Sequence, residues 1–225
     1  MNVANNVSII KQKIAEACEK SNRKAEDVQL IAVTKYVSIE RAKQALDAGI
    51  TNLGENRVEG LLYKKQVLQN KATWHFIGTL QSRKVKEIID EVDYVHSLDR
   101  LSLAKEINKR SSRQVPCFVQ VNVSGEESKH GLAPDEVERF IRNLEPYPNV
   151  QVVGLMTMAP HIEDESILRN CFKKLRVLKE HVEALELPYA PCHYLSMGMS
   201  NDFQIAVEEG ATHIRLGTSL VGKEV

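Results

Sequence analysis

The feature that most constrains this chain is a repeated alternation. Short apolar runs are separated by longer segments with apolar residues at helical spacing, eight times over. Val7, Ile10, Ile14 and Ala17 mark an opening helix over 7–20. Strand-like runs follow at 28–33, 50–53, 74–77, 94–97, 116–123, 150–156, 193–196 and 213–216, with helical segments between them. Ser38 reads as a helix cap and Gly49 as a stop; Asp99 can cap the next helix, and Pro134 with Asp135 opens another. Strands that alternate with helices imply a parallel sheet. Eight of them predict a closed (β/α)8 TIM barrel, with an open doubly wound sheet as the competitor. The 225 residues suit one such domain, and no linker or low-complexity tract divides residues 1–225.

Lys+Arg and Asp+Glu are 30 each. No net basic balance points to nucleic acid. Cys18, Cys117, Cys171 and Cys192 form no CxxC pair, which argues against a zinc ribbon and suits reduced thiols. The N-terminus does not read as a signal peptide, and no run reaches the ~18 apolar residues of a membrane span. The expectation is a cytoplasmic protein with no membrane or nucleic-acid partner.

In a barrel the strand ends open onto one face, and function sits there. Lys35 follows the apolar run Leu30-Ile-Ala-Val-Thr34. Desolvation at that point favours a neutral, nucleophilic amine that can condense with an aldehyde; a strand-end lysine reaching solvent is the plainer alternative. Ser200 sits between strand seven and a helix, where backbone N–H groups are free to bind an anion. Gly217 and Thr218 follow strand eight, and Gly217 allows close backbone approach. Either segment alone could be a cap or a turn. Together, after strands seven and eight, they favour a phosphate. Arg215 should point into the barrel. It either makes a structural salt bridge or donates to a ligand ring nitrogen, which would then stay unprotonated.

Other strand-end residues are open both ways. His75 is a satisfied core histidine or a ligand contact, Asn56 a helix cap or a contact, and Met156 core or packed on a ring. The Ser128–Gly131 loop is a lid or a turn. Tyr36, Glu55 and His161 have no partner that sequence names.

Ile31-Ala-Val-Thr-Lys35, Gly54-Glu-Asn56, Trp74-His-Phe-Ile-Gly78 with Leu80-Gln81, Gly154-Leu-Met156, Leu195-Ser-Met-Gly-Met-Ser200 with Asp202, and Ile214-Arg-Leu-Gly217-Thr218 together resemble the pyridoxal phosphate homeostasis protein family. The resemblance runs from about residue 5 to 223. It implies a fold-type III barrel like the N-terminal part of alanine racemase, without the racemases' C-terminal β-domain. It also implies pyridoxal 5′-phosphate (PLP, the vitamin B6 aldehyde) held as a Schiff base on Lys35. Ser200, Gly217 and Thr218 would then hold the phosphate, with Arg215 facing the pyridine nitrogen and Asn56, His75 and Met156 nearby. Relatives often carry phenylalanine at position 221 and basic residues after Gly222, where this chain has Val221 and ends Lys223-Glu-Val225.

The implied role is PLP homeostasis: buffering the cofactor or handing it to PLP-dependent apo-enzymes, with a monomer expected. Without a second domain the site lacks an acid–base partner worth ~10²–10⁴-fold in rate, so efficient catalysis is not expected. A small racemase-like enzyme, or a barrel enzyme using a lysine imine on another phosphorylated substrate, are the competing readings.

Overall fold

The structure, a computed structural model, describes residues 2–126 and 129–224. Its regular elements are, in order, α1 (Val3–Lys20), β1 (Gln29–Val33), α2 (Ile39–Asp47), β2 (Asn52–Glu55), α3 (Val58–Leu68), β3 (Thr73–Phe76), α4 (Val85–Ile88), β4 (Tyr94–Leu98), α5 (Leu101–Arg110), β5 (Val115–Gln120), α6 (Val137–Arg142), β6 (Val150–Met156), α7 (Glu165–Glu183), β7 (Tyr194–Ser196), α8 (Phe203–Glu208), β8 (His213–Leu216) and α9 (Thr218–Val221). All strand pairs are parallel, and the order β1 to β8 closes on itself as a barrel. The open-sheet alternative is excluded. No helix among the described residues is long and apolar enough to cross a membrane.

Local chemistry explains the elements and their limits. α1 buries Val3, Val7, Ile10, Ile14 and Ala17 on one stripe, the spacing of a helix lying on a core. Ser38 caps α2 by accepting from Arg41 N–H at 3.2 Å. β2 starts two residues later than the sequence suggests. The end of α2 consumes Gly49 and Ile50, because Ile50 N–H bonds back to Ala45 O at 3.0 Å and Gly49 takes φ +85°. β5 stops at Gln120; beyond it Asn122 turns away, its N–H bonding Leu132 O at 2.9 Å. Asp99 does not cap α5: its carboxylate pairs with Arg100 at 2.6 Å. The helices foreseen at 82–89 and from Pro134 each open with a 3-10 turn. α9, unforeseen, is anchored to α1 by Asn6 Nδ2–H donating to Leu220 O at 3.0 Å.

The barrel interior departs from the usual layers of branched apolar side chains. His75 on β3, His96 on β4, His213 on β8 and Arg215 on β8 are all buried. His96 Nδ1 lies 2.8 Å from Ser196 Oγ on β7. β4 and β7 are not neighbours, so this contact crosses the barrel lumen. Arg215 donates to the same Ser196 Oγ at 2.6 Å. On the other side His96 Nε2 meets His75 Nδ1 at 2.9 Å, and His75 Nε2 meets Asn52 Oδ1 at 3.0 Å.

With both histidines neutral, one proton arrangement satisfies every link. Arg215 donates to Ser196, Ser196 to His96, His96 to His75, and His75 to Asn52, whose amide nitrogen lies 3.4 Å from Gln29 Oε1. Each histidine then donates through one ring nitrogen and accepts through the other. Burial pushes both well below the usual imidazole value, reinforced by the neighbouring His213, His75 and Arg215.

His213 is also lowered, to about 4, first by burial and then by the Arg215 charge. The unfolded chain takes up this proton near pH 6.5, whereas the folded chain does so only at about 4. Its contribution is fully present above that window and is lost as pH falls through it. Urea titrations between pH 7 and 4 should show a fall in stability that is smaller by ~3 kcal/mol in His213→Gln. Equal falls in the two proteins would contradict the assignment. A second expectation concerns the β6–β7 seam, where a Cβ on Gly154 would lie 2.1 Å from Tyr194 O. Gly154→Ala should lower unfolding stability by ~1–3 kcal/mol in urea titration; unchanged stability would contradict it.

Candidate functional site

At the C-terminal ends of the strands, Lys35, Asn56, Met156, Ser200, Arg215, Gly217 and Thr218 line one cavity of about 440 Å³, within the size range of small-ligand sites. The sequence singled out each of these residues. His75 is the exception. It is fully buried, bonded to Asn52 and His96, and stacked on Tyr94 with ring centroids 4.7 Å apart. Strand periodicity fixed its inward face but not its depth, and it lies below the cavity as a satisfied interior histidine.

Lys35 also departs from the expectation of a desolvated amine. The apolar run buries the chain through Thr34, which has no exposed surface. Lys35 is the next residue, already in the turn, and is exposed. Its Nζ lies 4.9 Å from the centroid of the Tyr36 ring. The amine is therefore presented at an open mouth rather than desolvated within it.

Arg215 makes no ion pair among the described residues, so the salt-bridge reading fails. Its guanidinium donates to Ser196 Oγ at 2.6 Å and to Thr157 O at 3.0 Å. Burial lowers its pKa to about 10, opposed by the Asp202 charge, so it remains a cation at neutral pH. Asp202 itself is raised by burial, while a bond from Met199 N–H at 2.5 Å acts the other way.

The turns after β7 and β8 meet side by side. Ser219 Oγ–H donates to Ser200 Oγ at 2.9 Å. Ser200 lies in the turn before α8 and caps nothing. The N–H groups of Ser200, Asn201, Thr218 and Ser219 find no acceptor among the described residues. At Gly217 (φ −103°, ψ −99°) a Cβ would meet Val33 no closer than 3.7 Å. Packing within the chain therefore does not demand glycine there. Two hydroxyls, free amides and a bare glycine form a cradle for an anion.

Asn56 brings a further clue. Its Oδ1 is buried without a hydrogen-bond partner, and its backbone leaves no room for a Cβ at Gly78, which would lie 2.4 Å from Asn56 O. An orphaned acceptor beside a cavity calls for a donor from a ligand. Met156 is almost wholly buried and packs with Phe118 and Val153, as part of the floor. In the loop after β5, Ser128 lies outside the described residues; Lys129 Nζ reaches Met158 O at 3.4 Å, next to the cavity.

Sequence reasoning missed His96 and His213, although Tyr94-Val-His96 and His213-Ile-Arg215 carry the period of two that puts each pair on one strand face. It also missed Lys64. That lysine falls on the buried stripe of α3 with Leu61 and Leu68, a placement that itself signals a partner.

The alanine racemase N-terminal domain family matches residues 7–225. The protein named pyridoxal phosphate homeostasis protein in Aquifex aeolicus is 40% identical over 227 residues, covering 99% of each chain. Its namesake in Haemophilus influenzae is 35% identical, covering 99% of this chain and 96% of the other. Among solved structures, PipY of Synechococcus elongatus PCC7942 with PLP bound superposes with a TM-score of 0.84 at 29% identity, covering 98% of this chain and all (100%) of that one. Alanine racemase of Corynebacterium glutamicum shares the fold, with a TM-score of 0.72 at 15% identity over 97% of this chain and 60% of its own. On this fold and these matches, the chain belongs to the pyridoxal phosphate homeostasis protein family, one of the alanine racemase N-terminal-domain barrels.

Proposed function

We propose that this chain binds PLP in the cavity between Lys35 and Arg215 and acts in PLP homeostasis, holding the cofactor and releasing it to apo-enzymes. The observation that carries the reading is the convergence, on one cavity, of a primary amine, an anion cradle and a buried guanidinium. PLP offers a counterpart to each: an aldehyde for the amine, a phosphate for the cradle and a ring nitrogen that can accept from the guanidinium. When bound, the cofactor supplies an aldehyde able to condense with a primary amine, and Lys35 is the amine that lines the cavity.

The other residues have distinct tasks. Ser200, Gly217 and Thr218 seat the phosphate through hydroxyls and free amides. Arg215 presents a fixed hydrogen-bond donor to the ring nitrogen and keeps its proton, because its pKa of about 10 leaves it charged. Such a donor orients the ring without protonating it. Asn56 offers its orphaned Oδ1 to a ring hydroxyl, and Met156 forms the floor against one edge of the cavity. Each of these residues belongs to the same chain. A monomer and a single cofactor-binding domain, 1–225, therefore suffice for this role, with clients in the same compartment, the cytoplasm.

The test is covalent capture. Purified protein is mixed with PLP, reduced with borohydride and digested for mass spectrometry. A pyridoxyl phosphate adduct is expected on the Lys35 peptide, together with a visible-edge absorption band that disappears in Lys35→Ala. A band that survives in Lys35→Ala, or an adduct spread over surface lysines, would reject the reading. An adduct other than pyridoxyl phosphate on Lys35 in protein as purified would point instead to a different carbonyl ligand.

A further inference from the structure

Behind the strand end that delivers Lys35 lies a buried ion pair. Glu55 is 1% exposed and Lys64 6% exposed, and Lys64 Nζ donates to Glu55 Oε1 at 2.7 Å. Both also bind Thr34. Thr34 Oγ1–H donates to Glu55 Oε1 at 2.6 Å, and Lys64 Nζ donates to Thr34 O at 2.6 Å. Two backbone bonds complete the set: Thr34 N–H to Gly54 O at 3.0 Å and Val37 N–H to Thr34 O at 3.2 Å. Thr34 is thus held at its amide, its hydroxyl and its carbonyl.

Stability alone does not call for this arrangement. A buried ion pair is often no more stabilising than two apolar residues of similar volume, because desolvation offsets the attraction. What an apolar pair cannot provide is direction. Here the directed bonds fall on one residue, and the next residue is Lys35. Glu55 in turn precedes Asn56, another residue that lines the cavity. The pair leaves little slack: a Cβ on Gly60 of α3 would lie 3.1 Å from Glu55 Oε2.

We propose that Glu55 and Lys64 are positioning residues, which act through Thr34 to hold the exposed Lys35 amine at the cavity; this rests on the assignment of Lys35 as the PLP attachment point. Attachment requires the Lys35 ammonium to lose a proton to solvent. The free amine then adds to the aldehyde carbon, and the carbonyl oxygen leaves as water. The triad enters none of these steps. It fixes the peptide from which the lysine side chain starts, so that the amine meets the aldehyde while the phosphate is seated across the cavity.

The experiment follows the appearance of the Lys35-dependent absorption band after mixing with PLP, at a temperature where melting curves show each protein folded. Three variants are compared with wild type. Thr34→Val keeps the shape and removes the hydroxyl. Thr34→Ser keeps the hydroxyl. Glu55→Met/Lys64→Met replaces the pair with apolar side chains and leaves no unpaired buried charge, and its melting curve checks that it folds. Loss of register of about an ångström can cost up to ~100-fold in rate. Band formation should therefore slow by ~10- to ~100-fold in Thr34→Val and in the double variant, with altered circular dichroism of the band. Thr34→Ser should behave like wild type. A folded double variant with the rate and dichroism of wild type would overturn the proposal alone. A wild-type protein with no Lys35-dependent band would overturn both this proposal and the assignment of Lys35.

Discussion

The site depends on the hydrogen bonding between β1 and β8 that closes the barrel. Ile31 pairs with Arg215 and Ala32 with Leu216. That register sets the first strand of the chain beside its last, so the turn carrying Lys35 and the turn carrying Gly217 and Thr218 become neighbours. The β7–β8 seam is short in regular pairing, with Ser196 opposite His213. It is extended by Met197 N–H to His213 O at 3.1 Å and Arg215 N–H to Gly198 O at 3.0 Å. Those bonds bring Ser200 within reach of Ser219. Amine and anion cradle are remote in sequence and adjacent in space because the sheet is closed.

The interior makes a second demand. A cation buried without a carboxylate partner is costly unless its donors are satisfied. Arg215 meets that demand through Ser196 and the Thr157 carbonyl, and Ser196 is itself oriented by His96. The chain of bonds through His96 and His75 to Asn52 is satisfied with both histidines neutral, the state that burial favours. The polar lumen therefore serves the site: it orients the arginine that faces the cavity and leaves its positive charge unneutralised by any ion pair among the described residues.

Much of this was legible in the sequence, and the failures have physical causes. The alternation of apolar runs and amphipathic segments located all eight strands, with β6 and β8 matched end to end. Boundaries slipped where a helix end consumed residues, as at Gly49 and Ile50 before β2. Four-residue α9 carried too little periodicity to be seen. Strand-end position identified the cavity residues, since barrel geometry maps chain position onto height. It failed for His75 because that inward side chain lies two residues before Ile77, the cavity-lining residue of the same strand face, and so falls beneath the cavity. It misjudged Lys35 because hydrophobic burial ended one residue sooner than the run suggested. Glu55 could be noticed but not paired: its partners Lys64 and Thr34 come from a helix and from the residue just past the end of β1, and only the closed fold brings them together.

The most direct test is a crystal structure of the protein after loading with PLP. Continuous density is expected from Lys35 Nζ to the cofactor, with the phosphate between the Ser200 and Thr218 turns and the pyridine nitrogen opposite Arg215. Density for the phosphate elsewhere on the barrel, or a ring that turns its nitrogen away from Arg215, would contradict this expectation.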